Sequence, residues 1–164
     1  EGEGRTMVPS PKCVSTYDEQ PEMSCPAVAW KVVNALRSGA YDFILVNFAN
    51  ADMVGHTGSI PAATLAVEAV DWSLKNIVDT VHAVGGKAIV TADHGNAELM
   101  TDQDSGKPHT AHTTNPVPLI VVEGKGSARH LREDGRLADV APTVLGLMDL
   151  PIPAHMSGVD LRIQ

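Results

Sequence analysis

Three kinds of pattern are missing from this sequence, and each absence narrows what the chain can be. No basic run and no interleaving of basic with aromatic residues occurs, and Asp plus Glu outnumber Lys plus Arg by 20 to 12, so nothing offers a groove to a nucleic-acid backbone. A small molecule or a metal ion is the partner to expect. Long hydrophobic runs are also missing: stretches such as "VPLIVVE" and "KAIVTA" are far too short to span a bilayer, and no charged-then-apolar leader opens the chain. The reading is a soluble protein with no membrane partner. Cysteine is scarce, and Cys13 and Cys25 lack CxxC spacing, which fits a reducing, cytoplasmic compartment better than a disulfide framework. Both are expected to be small buried hydrophobes.

What is present is enough apolar material for a core: 43% of 164 residues, which reads as one domain. The opening "EGEGRTMVPSPK" is neither leader nor helix start and reads like a cut through a loop, so the chain is expected to be a fragment. Seven histidines are many for this length, and they are unevenly spread. His56, His94, His109 and His112 lie between apolar runs, whereas His82, His130 and His155 have no acidic neighbour at ligand-like spacing.

"PAVAWKVVNALRSG" predicts a helix, with proline at the first turn, Val28, Val32, Ala35 and Leu36 at helical spacing, and Gly39 at the exit. "DFILVNF" predicts a strand covered on both faces. From Pro61 to about Val84, Ala63, Ala66, Val70, Leu74, Ile77, Val78 and Val81 form one stripe, the longest helix, stopped by Gly85-Gly86. Trp30 and Trp72 are expected to pack from these helices, and Glu68, Asp71 and Asp79 to form the wet face of the long one. "KAIVTA" and "VPLIVVE" predict two further strands, and "LADVAPTVLGLMDL" a closing helix with Asp139 near its positive end. Strand, helix, strand is the parallel crossover unit, so the fold expected is α/β, a mostly parallel sheet flanked by helices.

In such sheets, loops leaving the carboxyl ends of strands line the site. "NADMVGHTG" carries Asp52 and His56, and the glycines beside them point to a loop or tight turn aiming both side chains at one place. "DHGNAE" carries Asp93 and His94, with Gly95 marking a sharp turn. "PHTAHTTNPVP" adds His109 and His112 before the next strand, on the same sheet edge if that strand too is parallel. Two carboxylates and at least three imidazoles suit zinc, manganese or iron rather than calcium or magnesium. Five ligands exceed one open tetrahedral site, so two adjacent ions are expected, the arrangement that clamps both oxygens of a displacement at phosphorus. Asn50 and Asn96 are candidate donors orienting the carboxylates. Lys12 and Tyr17 read as structural, and Ser59 and Ser105 as loop residues without a nucleophile's context.

"NFANADMVGHTG", "TADHGNAE", "HTAHTTNPVP" and "LADVAPTVL", in this order, resemble the carboxyl-terminal part of the cofactor-independent (2,3-bisphosphoglycerate-independent) phosphoglycerate mutase family, within the alkaline phosphatase superfamily. The resemblance covers essentially the whole chain, with what looks like one extra residue around Cys13. It implies an incomplete alkaline-phosphatase-like fold, residues 1–164 being the carboxyl-terminal portion of the metal-binding phosphatase domain without the nucleophile segment or the phosphotransferase domain. It implies two manganese ions in the intact enzyme, with zinc or another divalent metal as substitutes. Asp52, His56 and His112 would hold one ion, Asp93 and His94 the other, and His109 neither.

The intact enzyme implied by the resemblance is a cytoplasmic, glycolytic isomerase, monomeric, interconverting 2-phosphoglycerate and 3-phosphoglycerate through a phosphoserine that this chain does not contain. The chain alone is then expected to be inactive, and its uncovered sheet edges favour self-association. Two alternatives stay open: a fragment of another superfamily member, a phosphomonoesterase or phosphopentomutase, and a non-catalytic metal-binding α/β domain.

Overall fold

The two long helices begin and end where the sequence signals them. The computed structural model describes residues 2–124 and 130–163, and in it α1 spans Cys25–Ser38 with proline in its first turn. Gly39 closes it in the left-handed region at φ 62°, which glycine adopts without a side-chain clash, and its N–H donates to the Leu36 carbonyl at 3.3 Å. The longest helix, α3, spans Ile60–Ala83; Ser59 caps it by accepting from the Ala62 N–H at 3.4 Å. The N–H of Gly86 returns to the Val81 carbonyl at 2.8 Å to finish it.

These helices pack through a narrow apolar face. Ala29 and Val32 of α1 meet Ile77 and Val81 of α3 in one cluster, and the Cys25 thiol lies 3.1 Å from the Ser73 hydroxyl. Burial among apolar groups pushes that thiol's pKa up, with the serine contact opposing. Small residues at the contact let the helices approach, so Trp30 and Trp72, which lie off the stripe, stay 62% and 59% exposed rather than packing as expected. Cys13 also departs from expectation and is exposed. Glu68, Asp71 and Asp79 are exposed as anticipated.

The apolar run after α1 is extended and alternates. Ile44, Val46 and Phe48 pack on the α1–α3 cluster, while Phe43 and Leu45 are 54% and 85% exposed. The strand expected to be covered on both faces is therefore covered on one, and among the described residues 43–48 form no backbone ladder.

The hydrogen-bonded sheet among the described residues joins β1, Ala88–Thr91, to β2, Leu119–Val122, with Ala88 opposite Val122 and Thr91 opposite Leu119. The pairing is antiparallel, which corrects the parallel arrangement expected from the sequence. The cause lies in the connection: residues 92–118 hold no helix to carry a parallel crossover. Instead they fold back on themselves through antiparallel bridges at Gly95–Thr113 and Thr101–Pro108, nearly in register with the ladder. Residues 88–122 thus form one long, irregular hairpin. An antiparallel return sets the amino end of β2 beside the carboxyl end of β1, so the stretch before β2 emerges next to Asp93 and His94. Parallel pairing would have left it at the opposite end.

The carboxyl-terminal region packs around its own short helix and is tied to the residue before β1 by the Lys87 ammonium, which donates to the Leu147 carbonyl at 2.8 Å. A 3-10 turn at Leu137–Asp139 leads into α4, Val140–Leu147. Asp139 is buried at the start of that helix, but its oxygens accept from the backbone N–H groups of Arg136 and Val159, each at 2.8 Å, rather than from the helix itself. Thr143 extends the network, donating to the Asp139 carbonyl at 2.7 Å and accepting from the Leu161 N–H at 3.0 Å.

Candidate metal centre

The segment holding Asp52 and His56 is a short helix, α2, Asn50–Gly55, with Asp52 in its first turn and His56 directly after its last residue. Four residues apart on helical geometry, the two side chains share a face. Buried Val54 roots α2 in a cluster with Met23, Ala62, Ala63 and Met100, against which Tyr17 also packs. Asn50 does not orient a carboxylate as expected. Its amide donates to the carbonyls of Pro21 and Glu22, both at 2.9 Å, and so fastens α2 to the segment leading into α1.

The hairpin brings the rest. His112 reaches α2 from the arm before β2, and three ligating atoms form a nearly equilateral triangle. His56 Nε2 lies 3.2 Å from Asp52 Oδ1, His112 Nε2 lies 3.1 Å from the same oxygen, and the two Nε2 atoms are 3.1 Å apart. His56 Nδ1 is 2.6 Å from the Thr110 carbonyl oxygen. A carbonyl only accepts, so Nδ1 carries the hydrogen and a neutral ring turns the lone pair of Nε2 toward Asp52. Metal bonds of about 2.0–2.2 Å place neighbouring ligand atoms roughly 3–3.5 Å apart, so the triangle fits a divalent ion.

Asn96 steadies the group. It is buried on the hairpin's first arm, just after β1, and its amide nitrogen donates to Asp52 Oδ1 at 3.0 Å, as the sequence reading anticipated. A Cβ at Gly55 would run into the Asn96 side chain, so glycine there is what lets the hairpin approach α2. The Asn96 amide oxygen is buried without a hydrogen-bond partner among the described residues, so the amide serves the site through its nitrogen alone.

Asp93 and His94 border the triangle without entering it. The His94 ring stacks on that of His112, with centroids 3.8 Å apart and planes 23° from parallel. Asp93 Oδ2 is 3.7 Å from His94 Nε2, and its side chain is 76% exposed. An open cleft of about 520 Å³ beside them is lined by Asp93, His94, Thr113, Asn115, Arg132 and Arg136. His109 is not part of the group: its ring nitrogen faces the Leu99 carbonyl at 3.0 Å and its N–H donates to the Met100 carbonyl, so it ties the hairpin's two arms together.

Sequence reasoning passed over Glu98. One of its oxygens accepts from the backbone N–H of Asn96 at 2.7 Å, and the other from the Thr113 hydroxyl and from the Asn115 amide at 2.9 Å. The Thr113 hydrogen bond, helped by those from Asn115 and the backbone, holds its carboxyl below the usual range. The available signal was its place in "DHGNAE", beside residues that were singled out.

The chain is similar to known proteins over nearly its whole length. The chain is 58% identical over 160 residues to a 2,3-bisphosphoglycerate-independent phosphoglycerate mutase of Rhodopseudomonas palustris, covering 98% of this chain and 31% of that protein. It is 54% identical over 166 residues to the protein of the same name from Chloroflexus aggregans, covering 99% of this chain and 31% of the relative. The chain thus spans under a third of the length of these curated relatives. A crystal structure of Leishmania mexicana phosphoglycerate mutase at low cobalt concentration superposes with a TM-score of 0.84 at 37% identity, over 95% of this chain and 31% of that one. The model of the metalloenzyme superfamily matches residues 1–152, a span that takes in α2 and both arms of the hairpin, and the chain belongs to that superfamily.

Proposed function

We propose that this chain is the carboxyl-terminal, metal-binding portion of the phosphatase domain of a cofactor-independent phosphoglycerate mutase, a cytoplasmic enzyme of glycolysis. The triangle of Asp52, His56 and His112 carries the proposal, because its three ligand atoms lie within 4.8 Å of one another. These residues hold one divalent ion, taken to be manganese, and Asp93 and His94 supply part of the site for a second. Bound there, divalent ions polarise phosphoryl oxygens and stabilise charge as phosphate moves between the hydroxyls of glycerate. The chain's own part is to aim the ligands: the Thr110 carbonyl fixes the tautomer of His56, and Asn96 fixes the Asp52 carboxylate. The nucleophilic serine and the groups gripping glycerate belong to the rest of a polypeptide about three times as long, by the 31% of relatives' length spanned here.

Two measurements test this. Titration of the 164-residue chain with Mn2+ is expected to show uptake that a His56→Ala, Asp93→Ala double variant loses, and that weakens in acid as protons compete for the imidazoles. Equal uptake by both proteins would refute the metal reading. Purified chain free of host enzyme is expected not to interconvert phosphoglycerates, and turnover would refute placing the serine elsewhere.

A further inference from the structure

The metal reading uses Asp93, His94 and Asn96 of "DHGNAE" and His112 of "HTTNP", and leaves Glu98, Thr113 and Asn115 unexplained. These three residues meet. The Glu98 carboxylate joins the turn after β1, through the Asn96 N–H at 2.7 Å, to the arm before β2, through the Thr113 hydroxyl and the Asn115 amide at 2.9 Å. Below it, the Thr113 N–H donates to the Gly95 carbonyl at 2.8 Å. A Cβ on residue 95 would collide with both the Thr113 hydroxyl and the Glu98 carboxylate, so the contact closes over a bare α-carbon. Thr113 directly follows His112 and Gly95 directly follows His94, so this clamp sits one residue beyond each of the two stacked rings.

We infer that Glu98 is a positioning residue, whose carboxylate locks the two hairpin arms in the register that stacks His112 on His94 and delivers His112 to Asp52 and His56. Between the ladder and the hairpin's tip, the one backbone bridge beside the two rings is Gly95–Thr113, by itself a weak constraint on a histidine's direction. A charged acceptor drawing three donors from both arms is a stronger one, since hydrogen bonds to an ionised group are roughly twice as strong as neutral ones. Asn96, the donor on one side of the clamp, is also the residue that holds Asp52, so a slip of the arms disturbs the triangle from two directions.

The consequence for metal affinity rests on the proposed ion site, but the consequence for ring geometry does not. The test therefore reads both, on the full 164-residue chain. Calorimetric titration with Mn2+ measures affinity, and nuclear Overhauser contacts between the ring protons of His94 and His112 in metal-free protein report the stack. Glu98→Ala and Thr113→Val are each expected to lower Mn2+ affinity about tenfold, the scale of losing a group that orients a ligand, and to weaken the ring contacts. Thr113→Ser keeps the hydroxyl and restores both. The double variant is expected to be no worse than either single one, because both changes open the same clamp. Ring contacts and affinity unchanged in Glu98→Ala would overturn the inference. Should Glu98→Ala fail to fold by circular dichroism, Thr113→Val, which keeps the backbone bridge and the side-chain shape, decides in the same terms. Should the unaltered chain take up no Mn2+, the metal reading falls and the ring contacts alone decide whether Glu98 positions the histidines.

Discussion

Asp52 and Asp139 are both aspartates at the start of short helical segments, yet they do opposite things. Both oxygens of Asp139 are occupied by N–H donors, from Val159 and Arg136, and the side chain is buried where the carboxyl-terminal segment crosses α4. Its bonding capacity is spent on structure. Asp52 accepts from the Asn96 amide and faces two imidazole nitrogens at 3.1–3.2 Å. A carboxylate held between backbone N–H groups is satisfied, whereas one set against two imidazole nitrogens in a triangle of ligand-like size is placed to bind a cation. Residue type does not distinguish the two regions; the polarity of the neighbours does.

The sharpest way to break that comparison is to remove Asp139. Asp139→Ala orphans two partly buried N–H groups and is expected to cost about 1–3 kcal/mol in urea unfolding while leaving Mn2+ uptake unchanged. The two hydrogen bonds, that from Val159 foremost, hold the Asp139 carboxyl below its usual range. A depressed folded-state pKa adds stability that is complete above the ordinary aspartate value of about 4 and is lost as pH falls through the lower folded value. The stability gap between wild type and Asp139→Ala is therefore expected to narrow in acid, and a gap independent of pH would contradict the assignment. A finer change is Gly55→Ala, which favours helix formation in α2 but puts a Cβ against Asn96. It is expected to lower Mn2+ affinity about tenfold by displacing the amide from Asp52, with little loss of stability. Affinity equal to wild type would mean that Asn96 does not hold the carboxylate.

The parts legible in the sequence are those governed by neighbours a few residues away. Pro26 and Gly39 bracket α1, and Pro61 and the Gly85-Gly86 pair bracket α3, because caps and breakers act over one helical turn. The buried positions Ala63, Ala66, Ile77 and Val81 were readable for the same reason, since the period of a helix is a local property. The tryptophans were misjudged because burial depends on which face meets a partner. The extended run at 43–48 was misjudged because pairing needs a neighbouring strand, which an apolar pattern does not supply.

By itself the sequence determined which side chains could ligate a metal and where α1, α3 and α4 form, though not the short α2 that was expected as a loop or tight turn, since residue chemistry and short-range periodicity are written directly in the chain. Tertiary structure alone decided the direction of β2, and with it the site. Hydrogen bonding between residues 88 and 122 is set by how the intervening stretch folds back, and that depends on contacts such as Gly95 with Thr113 and Glu98 with Asn115, which no local pattern specifies. The same register separates two histidines three positions apart: His109 spends its ring on the Leu99 carbonyl, and His112 turns its ring to Asp52 and His56.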